Sequence, residues 1–434
     1  MTEATAIEAP PRSSARSVFA RLEVDTRLLG MVSALIILWI VFNVMSGGLF
    51  LSPRNLWNLS VQSAAVAIMT SGMVLIIVSR NIDLSIGSIV GFTAMVMGLA
   101  QTEWIPNVLG PGFDPTFLWI AVVLFGVVVG AVIGGAQGYL VAYIGIPSFI
   151  VTLGGLLSIR GLVWFQSQGA AVTGLDPTFQ LIGGGAQGSV GGTITWILGV
   201  IGCVAVIGLL VNGRRQRRRY GFPLRPMWAE VLLGVVGSAA SLGLAWYANN
   251  YFWPEGLANR IAAEQNWGPA PAGGWQIPAG FPFPIVLLIG VTLAMSFIAN
   301  RRRFGRYVYA YGGNPDAAEL AGINTRWTIL KTYVVMGILC ALAAAIASAR
   351  LNGATLDIGV SYELYVIAAA VVGGTSFAGG IGTIPGAILG ALVLQSLAYG
   401  LSFMGFASPI QNIVIAVVLV VAVGLDSYNR RRGS

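Results

Sequence analysis

Apolar runs of 17 to 25 residues recur along this chain after its first two dozen positions, separated by short polar or glycine-rich stretches. Wound as a helix at about 1.5 Å per residue, a run of that length crosses roughly 30 Å of hydrocarbon. The pattern places such segments near residues 29–50, 60–79, 84–101, 118–142, 148–167, 194–212, 229–247, 283–300, 329–349, 362–378, 383–403 and 409–426. They are apolar on all faces, whereas the strands of a membrane barrel would alternate over about ten residues. The fold class this predicts is all-α, a polytopic transmembrane helical bundle of about 12 spans. Residues 28–427 form the membrane domain, between a polar tail at 1–27 that is expected to be disordered and a short tail at 428–434.

Composition strengthens this reading. Only 9% of the 434 residues are charged, about a third of the share in a soluble domain, and the mean hydropathy is +0.80. Lys and Arg are retained on the cytoplasmic side of short loops, and their distribution is steeply uneven. With both termini cytoplasmic, that side holds 20 of the 24 basic residues: Arg12, Arg16, Arg21, Arg27, Arg80, six arginines from Arg214 to Arg225, six basic residues from Arg301 to Lys331, and Arg430 to Arg432. The outer side holds Arg54, Arg260 and Arg350, and Arg160 lies within a span. The Arg214–Arg219 run follows an apolar span directly, so topology and contact with anionic lipid explain it, and no nucleic-acid partner is expected. The first apolar run is too long, and lacks the cleavage site, for a removable signal.

Missing residue types narrow the chemistry. The chain has no histidine, which excludes a His proton relay, a His-ligated zinc site and a Ser/His/Asp triad. Cys203 and Cys340 both fall inside predicted spans and read as small packing residues, so no metal or other cofactor is expected. Lys331, the only lysine, lacks the glycine-rich loop of a nucleotide-binding site, so the chain is not expected to hydrolyse ATP. Ion-coupled transporters mark their pathways with buried carboxylates, yet Asp83, Glu230 and Glu363 sit at span ends and Arg160 is the one charge deep in a span. A catalytic site is absent from this reading, and energy for uphill movement must come from another chain.

Glycines at four-residue spacing line single helix faces: Gly126, Gly130, Gly134 and Gly138; Gly87 and Gly91; Gly382, Gly386 and Gly390. Such stripes let helix backbones approach closely where lipid removes the hydrophobic drive, and helix packing is their favoured role. Ser85–Gly91 and Ile384–Gly390 echo each other at the start of two spans, which raises a parallel internal repeat as an open alternative to chance similarity.

The polar stretch Arg301–Arg326 carries a compact helix signature. Asn314 can cap, Pro315 suits the first position, Asp316 opposes the helix dipole and Gly322 provides a stop. A two-turn helix over Ala317–Ala321 is unstable alone and needs a surface to lie on. Leu320 and Ile323 offer it apolar contact, with the membrane interface as the alternative surface.

This loop resembles the cytoplasmic coupling segment of bacterial ABC importer permeases of the ribose, xylose and galactose class. The resemblance rests on Gly305, Arg306, Tyr307, Tyr309, Ala310, Gly312, Gly313, Asn314, Ala317, Ala318, Gly322 and Ile323. Asp83–Ser88, Pro147–Gly154, Arg160–Gly161 and Gly373–Gly380 are further family-like blocks, so the likeness covers most of the chain from about residue 60. It implies a permease that pairs with a second copy of itself, a cytoplasmic ATPase and a periplasmic sugar-binding protein. Within the coupling loop 301–328, the segment Gly312, Gly313, Asn314, Pro315, Asp316, Ala317, Ala318, Glu319, Leu320, Ala321, Gly322 and Ile323 would engage the ATPase. Against a ten-span core this chain has two extra spans within an insertion at about 192–282, like the enlarged xylose-type permeases, which points to a monosaccharide and to a pentose such as xylose.

Polar span residues Asn58, Gln62, Gln137, Arg160, Gln395, Gln411 and Asn412 are candidates to line the pathway, with interhelical hydrogen bonding as the alternative role for each. For function, the alternatives are a permease of the same class for a branched-chain amino acid or nucleoside, and an ion-coupled secondary transporter. A membrane-embedded enzyme is least expected, because no nucleophile, base or metal cluster assembles near the spans.

Overall fold

The computed structural model describes residues 26–110, 115–185 and 187–433. Most of the predicted tail at 1–27 therefore lies outside the described residues. Seventeen α-helices follow in order among the described residues: α1 (Thr26–Met45), α2 (Pro53–Val78), α3 (Ile86–Leu99), α4 (Ile105–Leu109), α5 (Leu118–Tyr139), α6 (Ser148–Ser167), α7 (Pro177–Leu181), α8 (Gly191–Arg219), α9 (Met227–Asn249), α10 (Glu255–Glu264), α11 (Phe283–Arg301), α12 (Arg303–Gly313), α13 (Pro315–Leu320), α14 (Thr325–Leu351), α15 (Tyr362–Val372), α16 (Ile384–Phe403) and α17 (Ser408–Gly433). Two-residue strands β1 (Val172–Thr173) and β2 (Gly353–Ala354) pair antiparallel, Val172 opposite Ala354. Nine helices among the described residues are long and apolar enough to cross a membrane, and the protein is a multi-pass helical membrane protein.

Each apolar segment read from the sequence falls on a helix. Two differ from expectation in length. The segment at 84–101 runs on through a π-helical turn at Ala100–Trp104 into α4. The segment at 362–378 is helical only as far as Val372. The chain turns at Gly373–Gly380, where Gly374, Gly379 and Gly380 take positive φ values that side-chain-bearing residues rarely adopt. At about 16 Å, α15 cannot cross a bilayer unaided. Val366–Val371 are buried in protein, the condition under which helix breaks are tolerated at membrane depth. The C-terminal residues from 428, expected as a tail, continue α17 to Gly433.

The core is built around α2, which is buried along nearly all of its length and packs against α14, α16, α11 and α15. The glycine stripe of α5 lies on α14. A Cβ on Gly130 would land on the Gly337 carbonyl oxygen, and one on Gly134 on that of Tyr333. These two backbones are in direct contact, as the four-residue spacing anticipates.

Inserted helices α8 and α9 pack mainly on each other, joined at one end by an Arg214–Glu230 ion pair of 2.7 Å. At the other end the insertion is fastened to the start of α2: Trp57 Nε1 donates to the Gly280 carbonyl at 3.1 Å, the Trp57 and Tyr251 rings meet tilted at 5.0 Å, and the Tyr247 hydroxyl bonds to the Leu51 carbonyl.

Candidate functional site

Two features stand at opposite ends of α2. At its N-terminal end is a polar cavity of about 350 Å³ bounded by α2, the end of α14, α15, α16 and the start of α17. That is near the lower bound for small-molecule pockets, roughly 300–1,000 Å³. Gln62, Gln395, Gln411 and Asn412 all line it, joined by Tyr362, Tyr365, Tyr399 and Arg350. Asn58 lies one turn before Gln62 on α2, and the Tyr399 hydroxyl reaches both it and Asn55. Gln395 and Tyr399 lie four residues apart on α16, hence on one helical face. Amide and phenol groups bring donors and acceptors without formal charge, a lining suited to a neutral hydroxylated solute.

Two of the seven polar span residues sit elsewhere. Arg160 donates from Nη1 to the carbonyls of Leu356 at 3.0 Å and Ile358 at 3.1 Å, holding α6 to the α14–α15 connection. Gln137 on α5 accepts from Ser85 Oγ at 3.0 Å, and Ser85 Oγ also lies 2.6 Å from Asp83 Oδ1. Asp83, between α2 and α3, is fully enclosed. Desolvation pushes its carboxyl up to about 6 against the pull of the Ser85 hydrogen bonds.

At the other end of α2 lies the Arg301–Arg326 stretch. Asn314 caps α13 as its chemistry predicts, its Oδ1 accepting from Ala317 N at 3.1 Å, and Pro315 takes the first helical position. Gly322 ends the turn with φ +78° and open space around its Cα. Glu319 Oε1 accepts from Thr325 Oγ1 at 3.0 Å and so ties α13 to the start of α14. Asp316, Ala317, Glu319, Leu320 and Ala321 are exposed, Ile323 is half-buried, and Ala318 is turned inward and buried. Leu320 is 90% exposed, so the apolar residue that this helix offers is left largely uncovered by the described residues.

Gly312 and Gly313 serve a different purpose from the exposed face. A Cβ on Gly312 would overlap the Val78 carbonyl, and the Gly380 amide donates to that same carbonyl at 3.0 Å. Arg80, with φ +60°, donates from Nε to the Gly312 carbonyl at 2.8 Å and from Nη2 to the Gly313 carbonyl at 2.9 Å. Tyr309 donates to the Gly382 carbonyl at 2.8 Å. The capped helix is thereby clasped to the end of α2 and to the glycine turn before α16, the two helices that carry Gln62 and Gln395.

Residues 55–423 match the family model described as branched-chain amino acid transport system / permease component. The chain belongs to this family. It is a transport-system permease of the inner membrane, not an enzyme. It is 35% identical over 402 residues to the xylose transport system permease protein XylH of Escherichia coli strain K12, covering 93% of this chain and 92% of that protein. It is 32% identical over 418 residues to the protein of the same name from Haemophilus influenzae, covering 96% and 100%. The ribose import permease protein RbsC of E. coli K12 is 29% identical over 395 residues, covering 91% and 92%. No solved structure matches the chain significantly.

Proposed function

We propose that this permease is the membrane pathway of an ABC importer for a monosaccharide, with xylose or another pentose as its solute. The observation that carries the substrate class is the similarity to permeases named for xylose over more than nine-tenths of the chain. An amide-rich and tyrosine-rich cavity with a single charged side chain, Arg350, is consistent with a polyhydroxylated neutral solute. The polypeptide crosses the membrane twelve times with both ends in the cytoplasm, a reading supported by the placement of its basic residues. A separate ATPase drives it through the face of α13, and a periplasmic binding protein delivers the sugar. Gln62, Gln395, Gln411 and Asn412, with Asn58 beside them, line the pathway, while Gln137 and Arg160 hold helices together. The cavity is open on one side among the described residues, and a second copy completes the passage.

The family description favours one second reading, a branched-chain amino acid as cargo. Such a zwitterion needs charge partners, and Arg350 is the one formally charged side chain on the cavity wall. The two readings separate in cells that lack their own pentose uptake and express the permease with its ATPase and binding protein. Labelled xylose should accumulate and labelled leucine should not. Gln395→Leu should reduce xylose uptake about fivefold to thirtyfold, the loss of one or two hydrogen bonds at about 1 kcal/mol each. Accumulation of leucine without xylose, or unchanged xylose uptake in Gln395→Leu, would remove the substrate class or the pathway assignment respectively.

A further inference from the structure

A second cavity, of about 710 Å³, opens where α11 ends and α12 begins, against the first turns of α14. Arg301, Arg302, Arg303, Arg306 and Lys331 surround it, and its walls include Ile298, Phe304, Val334 and Val335. Five cations thus share one hollow, and among the described residues none of them forms an ion pair with a carboxylate. Three of the five are held by the chain in ways that leave their charge uncompensated. The Arg302 guanidinium stands 4.9 Å from the Phe297 ring, the Lys331 ammonium 4.8 Å from the Trp327 ring, and Arg306 Nη1 donates to the Arg301 carbonyl at 3.3 Å.

We propose that this hollow binds the headgroup of an anionic phospholipid. Four arginines and a lysine supply the N–H donors that phosphate oxygens accept, and the apolar wall suits the glycerol and first acyl carbons in a way that a free phosphate would not use. The location agrees, on the orientation given above. Helices α11 and α14 are both long enough to cross the membrane, and α11 ends at Arg301, so the cavity lies where the chain leaves the hydrocarbon on the cytoplasmic side. Basic pockets at that depth are the expected seats of anionic lipid.

The site also has a mechanical position. The helix axis breaks at Arg302, whose backbone is extended between α11 and α12, and α12 leads through Gly313 into α13. A lipid phosphate gripped by residues on both sides of that break, and by Lys331 on α14, fixes the elbow from which α13 projects. Anionic lipid therefore supports communication between ATPase and pathway, in addition to binding.

The permease, purified with its ATPase, would be carried through delipidation and re-exposed to phosphatidylcholine vesicles with or without about one-third phosphatidylglycerol, a net-negative lipid. Native mass spectrometry would count retained lipid. Wild-type protein should retain phosphatidylglycerol over phosphatidylcholine, and the Arg301→Gln/Arg302→Gln/Lys331→Gln variant should lose at least about tenfold of that retention. The Arg301→Lys/Arg302→Lys variant should keep it, as should Arg260→Gln, which removes a cation from the outer side of the inserted segment instead. Stimulation of ATP hydrolysis by phosphatidylglycerol should fall with retention. Equal retention in the triple variant and wild type would overturn the site. Displacement by millimolar inorganic phosphate would assign it to a free anion, and loss of the ATPase with lipid retention unchanged would assign the cations to the partner protein; either result refutes the lipid.

Discussion

Leu320→Asp should abolish sugar uptake to at least about tenfold below wild type while leaving insertion into the membrane unchanged. The expectation follows from exposure. Burying one leucine in an interface contributes about 1.5–3 kcal/mol, and an aspartate there would further require desolvating an unpaired charge. Leu320 is 90% exposed on a six-residue helix that has its cap, its proline and its glycine stop but is left uncovered by the described residues. Co-purification with the ATPase should weaken in parallel. Ala318→Arg makes an informative comparison, because Ala318 is only 4% exposed. That substitution should unseat α13 from the permease rather than remove the docking contact, and should lower the thermal stability that Leu320→Asp leaves alone. Normal uptake by Leu320→Asp would show that the partner grips the chain elsewhere.

Gly134→Val should prevent a stable fold. The new Cβ would meet the Tyr333 carbonyl oxygen, with the Gly337 amide nitrogen 3.3 Å away, and neither backbone group can swing aside as a side chain would. Overpacking commonly costs about 1–3 kcal/mol, and two backbones in contact put this site at or above the top of that range. Folded yield in mild detergent, read by size-exclusion chromatography, should collapse. Gly161→Ala on α6 should behave oppositely, since nothing lies within 4 Å of its position and alanine is favoured over glycine inside a helix by about 0.5–1 kcal/mol. If both variants fold like wild type, the close approach of α5 and α14 is wrong.

Much of this architecture is legible in the sequence because lipid imposes a simple rule on every spanning segment: long, apolar and helical. The same rule hides other features. Residues 362–378 read as one apolar run, yet Gly373 and Gly374 end the helix, and only the surrounding helices explain why a short, broken segment survives there. The glutamines of the cavity stand out against apolar neighbours, so Gln62, Gln395 and Gln411 were visible in advance. Tyr362, Tyr365 and Tyr399 were not, since aromatic residues are ordinary in spans and their convergence is tertiary. In the sequence Arg350 is only a topological charge at a helix end. Arg80 is too, and its hold on Gly312 and Gly313 depends on a glycine-to-backbone approach between segments more than 230 residues apart. The cap of α13 was legible because it is local chemistry within nine residues. The direction of its side chains was not: Ala318 inward and Leu320 outward follow from how α12 and α14 seat the helix.

On the proposed function, the polypeptide supplies a passage and no energy, and the drive arrives through α13 from another protein. The most direct test is accumulation of labelled xylose in proteoliposomes containing this permease, with binding protein outside and ATP enclosed, assembled with or without the ATPase subunit. Concentration against a gradient only in vesicles that contain the ATPase is the predicted result. Accumulation by the permease without it, driven by an imposed ion gradient, would contradict the account.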